Sequence, residues 1–296
     1  MNGYKHLLAC AELESSDEVV LAAAKTVAGY YRANLTALTV VEPVSQLLTG
    51  MDTLRAADFT TQIQAGSRTA LAALCRRNGL SANDAAVIVG RPGTDIAKFA
   101  MQRSVDLIVV GAHERHGLGH LIGSVALAVL HTADCDVLGV RLDKASTAHR
   151  RAAIAIDPAA DPGTRSALLN RADTLSRHME VCYVTVARSP HIDFAIDIEH
   201  MSRETAESIQ HAQSSTVEKH LTQAGIQSDL VVLHGTPSKQ IKRYAKDASV
   251  DLLVLGLGEK TAKGWKIGST TNNVLHEAPC DTLVVRSARR RSEKQP

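Results

Sequence analysis

The chain has 296 residues, enough for about two ordinary domains, and its 33 Lys+Arg against 31 Asp+Glu leave it close to neutral. That balance makes no electrostatic case for nucleic acid or a membrane surface as partner, and aromatics at 3% are too few for a base-stacking platform. Hydrophobic residues at 45% suffice for packed cores.

The first residues lack the charged, apolar and small-residue series of a signal peptide. No apolar run reaches the roughly 18 residues of a membrane-spanning helix. The five cysteines include no C-x-x-C pair. A cytoplasmic protein is expected, with its thiols serving as small apolar side chains.

Strand and helix signals alternate along the chain. Leu7 to Ala11 is an apolar run ending at Glu12. Asp17 to Arg32 carries Val20, Ala24, Val27 and Tyr31 at helical spacing, with Ser15 or Ser16 as cap. Leu35 to Val41 reads as a second strand. Leu54 to Asn78 reads as a long helix presenting Phe59, Ile63, Ala70, Leu71 and Leu74, stopped by Gly79. A strand follows at Ala85 to Val89, a helix at Thr94 to Arg103, a strand at Leu107 to Val110, a helix at Val125 to His131 and a strand at Val137 to Val140. From Ala153 to Val285 the same series is written again.

The second writing is a true repeat. At an offset of 145 residues, Gly90 to Arg141 lies on Gly235 to Arg286 without a gap, with roughly half the positions identical. Ser104-Val105-Asp106-Leu107 meets Ser249-Val250-Asp251-Leu252, and Ile122-Gly123-Ser124 meets Ile267-Gly268-Ser269. The same offset places Glu12 on Asp157. A period this long is a whole domain. Two domains are expected, 1–144 and 150–288, joined by a short polar linker and followed by a charged tail over 289–296. Continuous apolar strands joined by helices mean a parallel sheet covered on both faces, wound in both directions. Such sheets take ligands at the carboxyl ends of their strands, where the winding reverses.

Gly111 ends the fourth strand, and Gly123-Ser124 opens the helix after it. Glycines let backbone N–H groups approach a ligand, and a helix N-terminus adds unpaired donors. Ser124 can cap the helix or bond a phosphate oxygen. No nucleophile–base pair or metal motif is readable, and Gly-x-x-x-x-Gly-Lys-Ser is absent. Binding rather than committed catalysis is expected.

With these residues in place, Gly111 to Ser124, Val129-Leu130-His131, Cys135-Asp136 and Val140-Arg141, the chain resembles the universal stress protein family over both halves. The resemblance implies two tandem doubly wound α/β domains, each a five-stranded parallel sheet of order 3-2-1-4-5. It implies a stress-response regulatory or protective protein that holds an adenine nucleotide, ATP with Mg, in one or both domains. By position, Glu12 and Asp157 would contact the nucleoside, and the backbone at Val40 and Thr185 would border adenine. Gly111, Gly123, Ser124 and Val125, with Gly256, Gly268 and Ser269, would hold phosphates. Glu114 and Glu259 replace the family's second glycine, the interval to Gly-Ser is one residue short, and Glu12 replaces an Asp. The family contains ATP binders and non-binders. A nucleotide-free module that binds a protein or another small ligand, and a slow ATPase or self-phosphorylating protein, stay open beside ATP binding. Pairing of the two fifth strands in an intramolecular pseudo-dimer, or in a homodimer, would hide exposed sheet edges. His113, His116 and His120 have no counterparts in the second half.

Overall fold

A computed structural model of the chain describes residues 3–47, 53–112, 123–143, 148–187, 203–225, 229–258, 260–261 and 264–287. The chain divides into two units, Gly3–His149 and Arg150–Pro296.

The first unit runs β1 (His6–Cys10), α1 (Asp17–Tyr31), β2 (Asn34–Val41), a short α2 (Val44–Leu47), α3 (Thr53–Arg77), β3 (Ala85–Val89), α4 (Pro92–Gln102), β4 (Leu107–Ala112), α5 (Ser124–Thr132) and β5 (Asp136–Arg141). Its strands are parallel in the order β3-β2-β1-β4-β5. The second unit runs β6 (Arg151–Ala155), α6 (Pro162–Leu175), β7 (Glu180–Ala187), α7 (Arg203–Gln223), β8 (Leu230–His234), α8 (Pro237–Asp247) and β9 (Leu252–Leu257). A hairpin follows, β10 (Lys260–Thr261) with β11 (Gly264–Trp265), then α9 (Ser269–Leu275) and β12 (Asp281–Arg286). Its parallel order is β8-β7-β6-β9-β12.

The middle strands are apolar without alternation because helices cover both faces. Leu107, Ile108, Val109 and Val110 are all buried, as are Leu252 to Leu255. On one face α1 and α3 lie side by side, Lys25 Nζ donating to Asn78 O at 2.8 Å. Elsewhere in the unit α4 and α5 meet at Gly93, where an added Cβ would stand 2.4 Å from Ala128 Cβ. Helix α3 ends at Gly79, whose φ of +70° suits the left-handed turn that closes it.

The packing face of α3 differs from the expected one. Phe59 and Ile63 are 47% exposed, and Ala70 is exposed. The buried line is Ala56, Ser67, Leu71, Leu74 and Cys75. It is completed by polar contacts: Val44 N donates to Thr60 Oγ1 at 3.1 Å, and Gln64 Nε2 donates to Val87 O at 3.4 Å. Small and polar side chains face the narrow edge of the sheet, and a hydrophobic pattern passes over them.

The duplicated Ser-Val-Asp-Leu segments are structural. Ser104 and Ser249 take φ of 52° and 51°, turning the chain out of α4 and α8. Val105 and Val250 are buried. Asp106 Oδ2 accepts the N–H groups of Lys5 and His6, and Asp251 Oδ2 those of Arg150 and Arg151. Each Asp thereby starts the first strand of its own sheet.

The repeat is not uniform in three dimensions. Leu7 pairs with Leu35, and Ala152 pairs with Val181. The first-strand residues stand 145 apart in sequence and the second-strand residues 146 apart. The second unit has one more residue before its second strand. Gly79 and Gly225, both at φ +70°, keep the longer spacing. By Leu230, which matches Ala85, the shorter spacing has returned.

Candidate functional site

The winding reverses between β1 and β4 in the first unit and between β6 and β9 in the second. Ala9 pairs with Val109, so Gly111 stands at the level of Ala11, and Glu12 begins the loop beside it. Ile154 pairs with Val254, which puts Gly256 level with Ile156 and next to Asp157. The expected strand-end residues are therefore brought together within each unit.

The loop after β1 is fixed from below. The buried Asp17 carboxylate accepts Glu12 N at 3.1 Å and Glu14 N at 2.9 Å. Burial pushes the Asp17 carboxyl up, against the pull of those N–H groups, and the Glu12 charge adds to the rise. Ser16 stands at the N-cap of α1 but makes no side-chain cap bond, and Asp17, the first helical residue, binds the loop before the helix instead of capping it. The Glu12 side chain is left exposed at the strand end.

The second unit solves the same problem differently. Asp157 Oδ1 accepts Ala159 N at 2.8 Å, a turn closed by the carboxylate itself. Asp161 caps α6, accepting Thr164 N at 2.9 Å and the Thr164 hydroxyl at 2.5 Å. Burial works to raise Asp161, but the Thr164 and Gly163 donors outweigh it and hold the carboxyl below the usual range.

At the ends of the fourth strands, the two glycines are tightly packed. A Cβ on Gly111 would lie 3.2 Å from Leu142 Cδ1 and 3.5 Å from Val20 Cγ2; one on Gly256 would lie 2.6 Å from Thr164 Cγ2. Helix packing thus asks for glycine at Gly256, whereas at Gly111 the close neighbour is the Leu142 side chain beyond β5. In the second unit the Thr164 hydroxyl, its proton directed at Asp161, also lies 3.1 Å from Leu257 O, and the Thr271 hydroxyl donates to Gly256 O at 3.1 Å. Val19 and Ala126 occupy the matching sequence positions of the first unit.

The helices that follow begin alike. Gly123 and Gly268 are the N-caps of α5 and α9, with no side-chain cap bond at either. Ser124 and Ser269 are the first helical residues and are exposed, so the cap expected of Ser124 belongs to Gly123. Val125 is half-buried behind it. The hairpin after β9 carries Trp265, buried, with Arg286 5.0 Å from its ring centroid. Sequence reasoning missed the hairpin because its two-residue strands carry no periodicity.

The adenine border is unequal. Val40, half-buried, pairs with Ile88, and Thr185 pairs with Val232. By strand register, however, Thr185 matches Thr39 and not Val40, since Leu38 pairs with Cys10 as Val184 pairs with Ala155. Burial, with neighbouring Cys135, Glu12 and Asp17, pushes the Cys10 thiol up. Among the described residues no group of three or more His, Cys, Asp and Glu could hold a metal ion. Nor is any helix among them long and apolar enough to cross a membrane. Glu114, Glu259, His113, His116, His120 and the segment 289–296 lie outside the described residues.

Each unit is a doubly wound α/β domain whose winding reverses between its first and fourth strands, and one chain carries two of them. The model of the universal stress protein family matches residues 3–141 and again 148–286, and the chain belongs to that family. Universal stress protein A homolog 1 of Coxiella burnetii is 33% identical over 138 residues, 46% of this chain and 96% of that protein. Universal stress protein A homolog 2 of the same organism is 32% identical over 143 residues, 48% of this chain and 98% of its own. Among solved structures, a functionally unknown protein from Pseudomonas aeruginosa superposes with a TM-score of 0.65 at 17% identity, over 96% of this chain and 93% of that one. A universal stress protein from Archaeoglobus fulgidus gives 0.62 at 18%, over 96% of each. At those identities the two structures speak for the fold alone.

Proposed function

We propose that this tandem universal stress protein is a stress-response regulatory protein whose first unit binds an adenine nucleotide. The observation that carries the reading is the convergence at the first reversal point. Glu12 and Gly111 stand at adjoining strand ends, and α5 begins at a glycine cap that fills none of its orphan N–H groups. Such a helix start favours phosphate, and an exposed carboxylate at the end of the first strand suits a ribose hydroxyl. Glu12 would take the ribose, the backbone at Val40 would border the base, and Gly111, Gly123, Ser124 and Val125 would surround the phosphates. Mg would offset the charge of the nucleotide. Equilibrium titration of the full chain with ATP and magnesium tests the reading. Saturable binding that Gly123→Val abolishes supports it. Absence of heat at millimolar ATP overturns it in favour of a nucleotide-free interaction module.

A further inference from the structure

We infer that Asp17 is a positioning residue for the ligand of the first unit: its carboxylate holds Leu13 in a left-handed turn and so fixes where Glu12 presents its own carboxylate. The inference rests on the nucleotide reading given above, in which Glu12 takes the ribose.

Leu13 has a φ of +65°. A residue with a side chain is disfavoured there by roughly tenfold against the right-handed region, so the surroundings must hold it. The bonds to Asp17 lie on either side of it: Oδ1 accepts Glu12 N at 3.1 Å and Oδ2 accepts Glu14 N at 2.9 Å. Asp17 N donates back to Glu14 O at 3.2 Å, which closes a ring between the loop and the first turn of α1. Asp17 is only 3% exposed, so water does not compete for these bonds. The residue before Glu12 is pinned from the other side. Ala11 N donates to Leu38 O at 2.9 Å, and Ala11 O accepts the Thr39 hydroxyl at 3.0 Å. Glu12 stands between a fixed strand end and a clasped turn, with its side chain exposed.

The fold does not by itself require this clasp. The second unit makes the same connection with Pro162 as the first residue of α6, where Asp17 begins α1. Among the described residues between β6 and α6 none has a positive φ. A left-handed leucine, with a buried carboxylate bonded to both of its neighbours, is therefore an addition to the fold. What it sets is the direction in which the chain leaves Ala11, and with it the place of Glu12.

The test is isothermal titration of the full chain with ATP and magnesium, in a cycle of Asp17→Asn and Glu12→Gln, with circular dichroism to check that each variant is folded. Asparagine has one acceptor oxygen and can hold only one of the two N–H groups. Asp17→Asn should weaken binding about tenfold, the factor by which the turn is disfavoured. In the Glu12→Gln chain the same change should have no further effect, because Asp17 acts through Glu12. Glycine takes the left-handed turn without a clasp, so in a Leu13→Gly chain Asp17→Asn should leave affinity within about twofold. That last pair answers the same question if Asp17→Asn alone does not fold. An equal loss with Glu12→Gln or with Leu13→Gly present, or full affinity in folded Asp17→Asn, would overturn the inference while leaving nucleotide binding in place. No binding to the unaltered chain would overturn both.

Discussion

Thr185 holds in the second sheet the place that Thr39 holds in the first, yet among the described residues only the Thr39 hydroxyl has a partner. The Thr39 hydroxyl donates to Ala11 O at 3.0 Å, whereas Thr185 Oγ1, in a side chain 1% exposed, meets no acceptor among the described residues. A buried hydrogen bond contributes about 1 kcal/mol, and a buried group without one costs about 1–3 kcal/mol. Thr39→Val is therefore expected to destabilise by about 1 kcal/mol, and Thr185→Val to be neutral or stabilising by up to about 1 kcal/mol. Urea unfolding of the two variants gives the comparison; equal losses would refute it.

The carboxylates at the starts of α1 and α6, Asp17 and Asp161, should titrate in opposite directions. Asp17 is raised, so the native state favours its protonated form. Its contribution is fully present below the ordinary carboxylate range and is lost as pH rises through the raised value. Asp161 is lowered, so its contribution is present above that range and is lost as pH falls through the lowered value. Stability relative to Asp17→Asn should fall with rising pH, and stability relative to Asp161→Asn should rise. Thermal unfolding between acid and neutral pH reads both slopes, and like signs would contradict the assignment.

The contact between α4 and α5 leaves no room at Gly93, whose added Cβ would stand 2.4 Å from Ala128 Cβ. Gly93→Ala forces the helices apart and should cost about 1–3 kcal/mol. Ala128→Gly made in the same chain should return part of the loss. A double-mutant cycle with no coupling would show that the helices do not touch there.

Removing Asp106 or Asp251 takes away a carboxylate that accepts two backbone N–H groups at the start of a first strand. Hydrogen bonds to a charged group contribute about 1.5–3 kcal/mol, so each Asp→Ala variant should lose about that much. Unchanged denaturation midpoints would leave the duplicated motif without its structural explanation.

The order of elements could be read from residues alone because apolar runs such as Leu107 to Val110 have one interpretation in a two-faced sheet. The duplicated motif was legible as a repeat, but its purpose was not, since Asp106 reaches Lys5 and His6 across some 100 positions. The face of α3 was misread because Thr60 and Gln64 pack there through hydrogen bonds. At the candidate site, strand ends and helix starts followed from glycines and apolar runs. The Asp17 grip and the Trp265–Arg286 stack did not, because both depend on side-chain directions that spacing does not encode.

The extra residue before β7 limits how the two units can be recombined. A chimera joined in the stretch that begins at Gly90 and Gly235 keeps every junction in phase, since both copies share one spacing there. A crossover placed inside the second strand at that same spacing would advance the chain by one position. Side chains that alternate along a strand would then trade faces, sending core residues toward the opposite helix layer. Duplicated genes diverge by substitution and by slippage, and only the front half of this domain carries the second kind of scar.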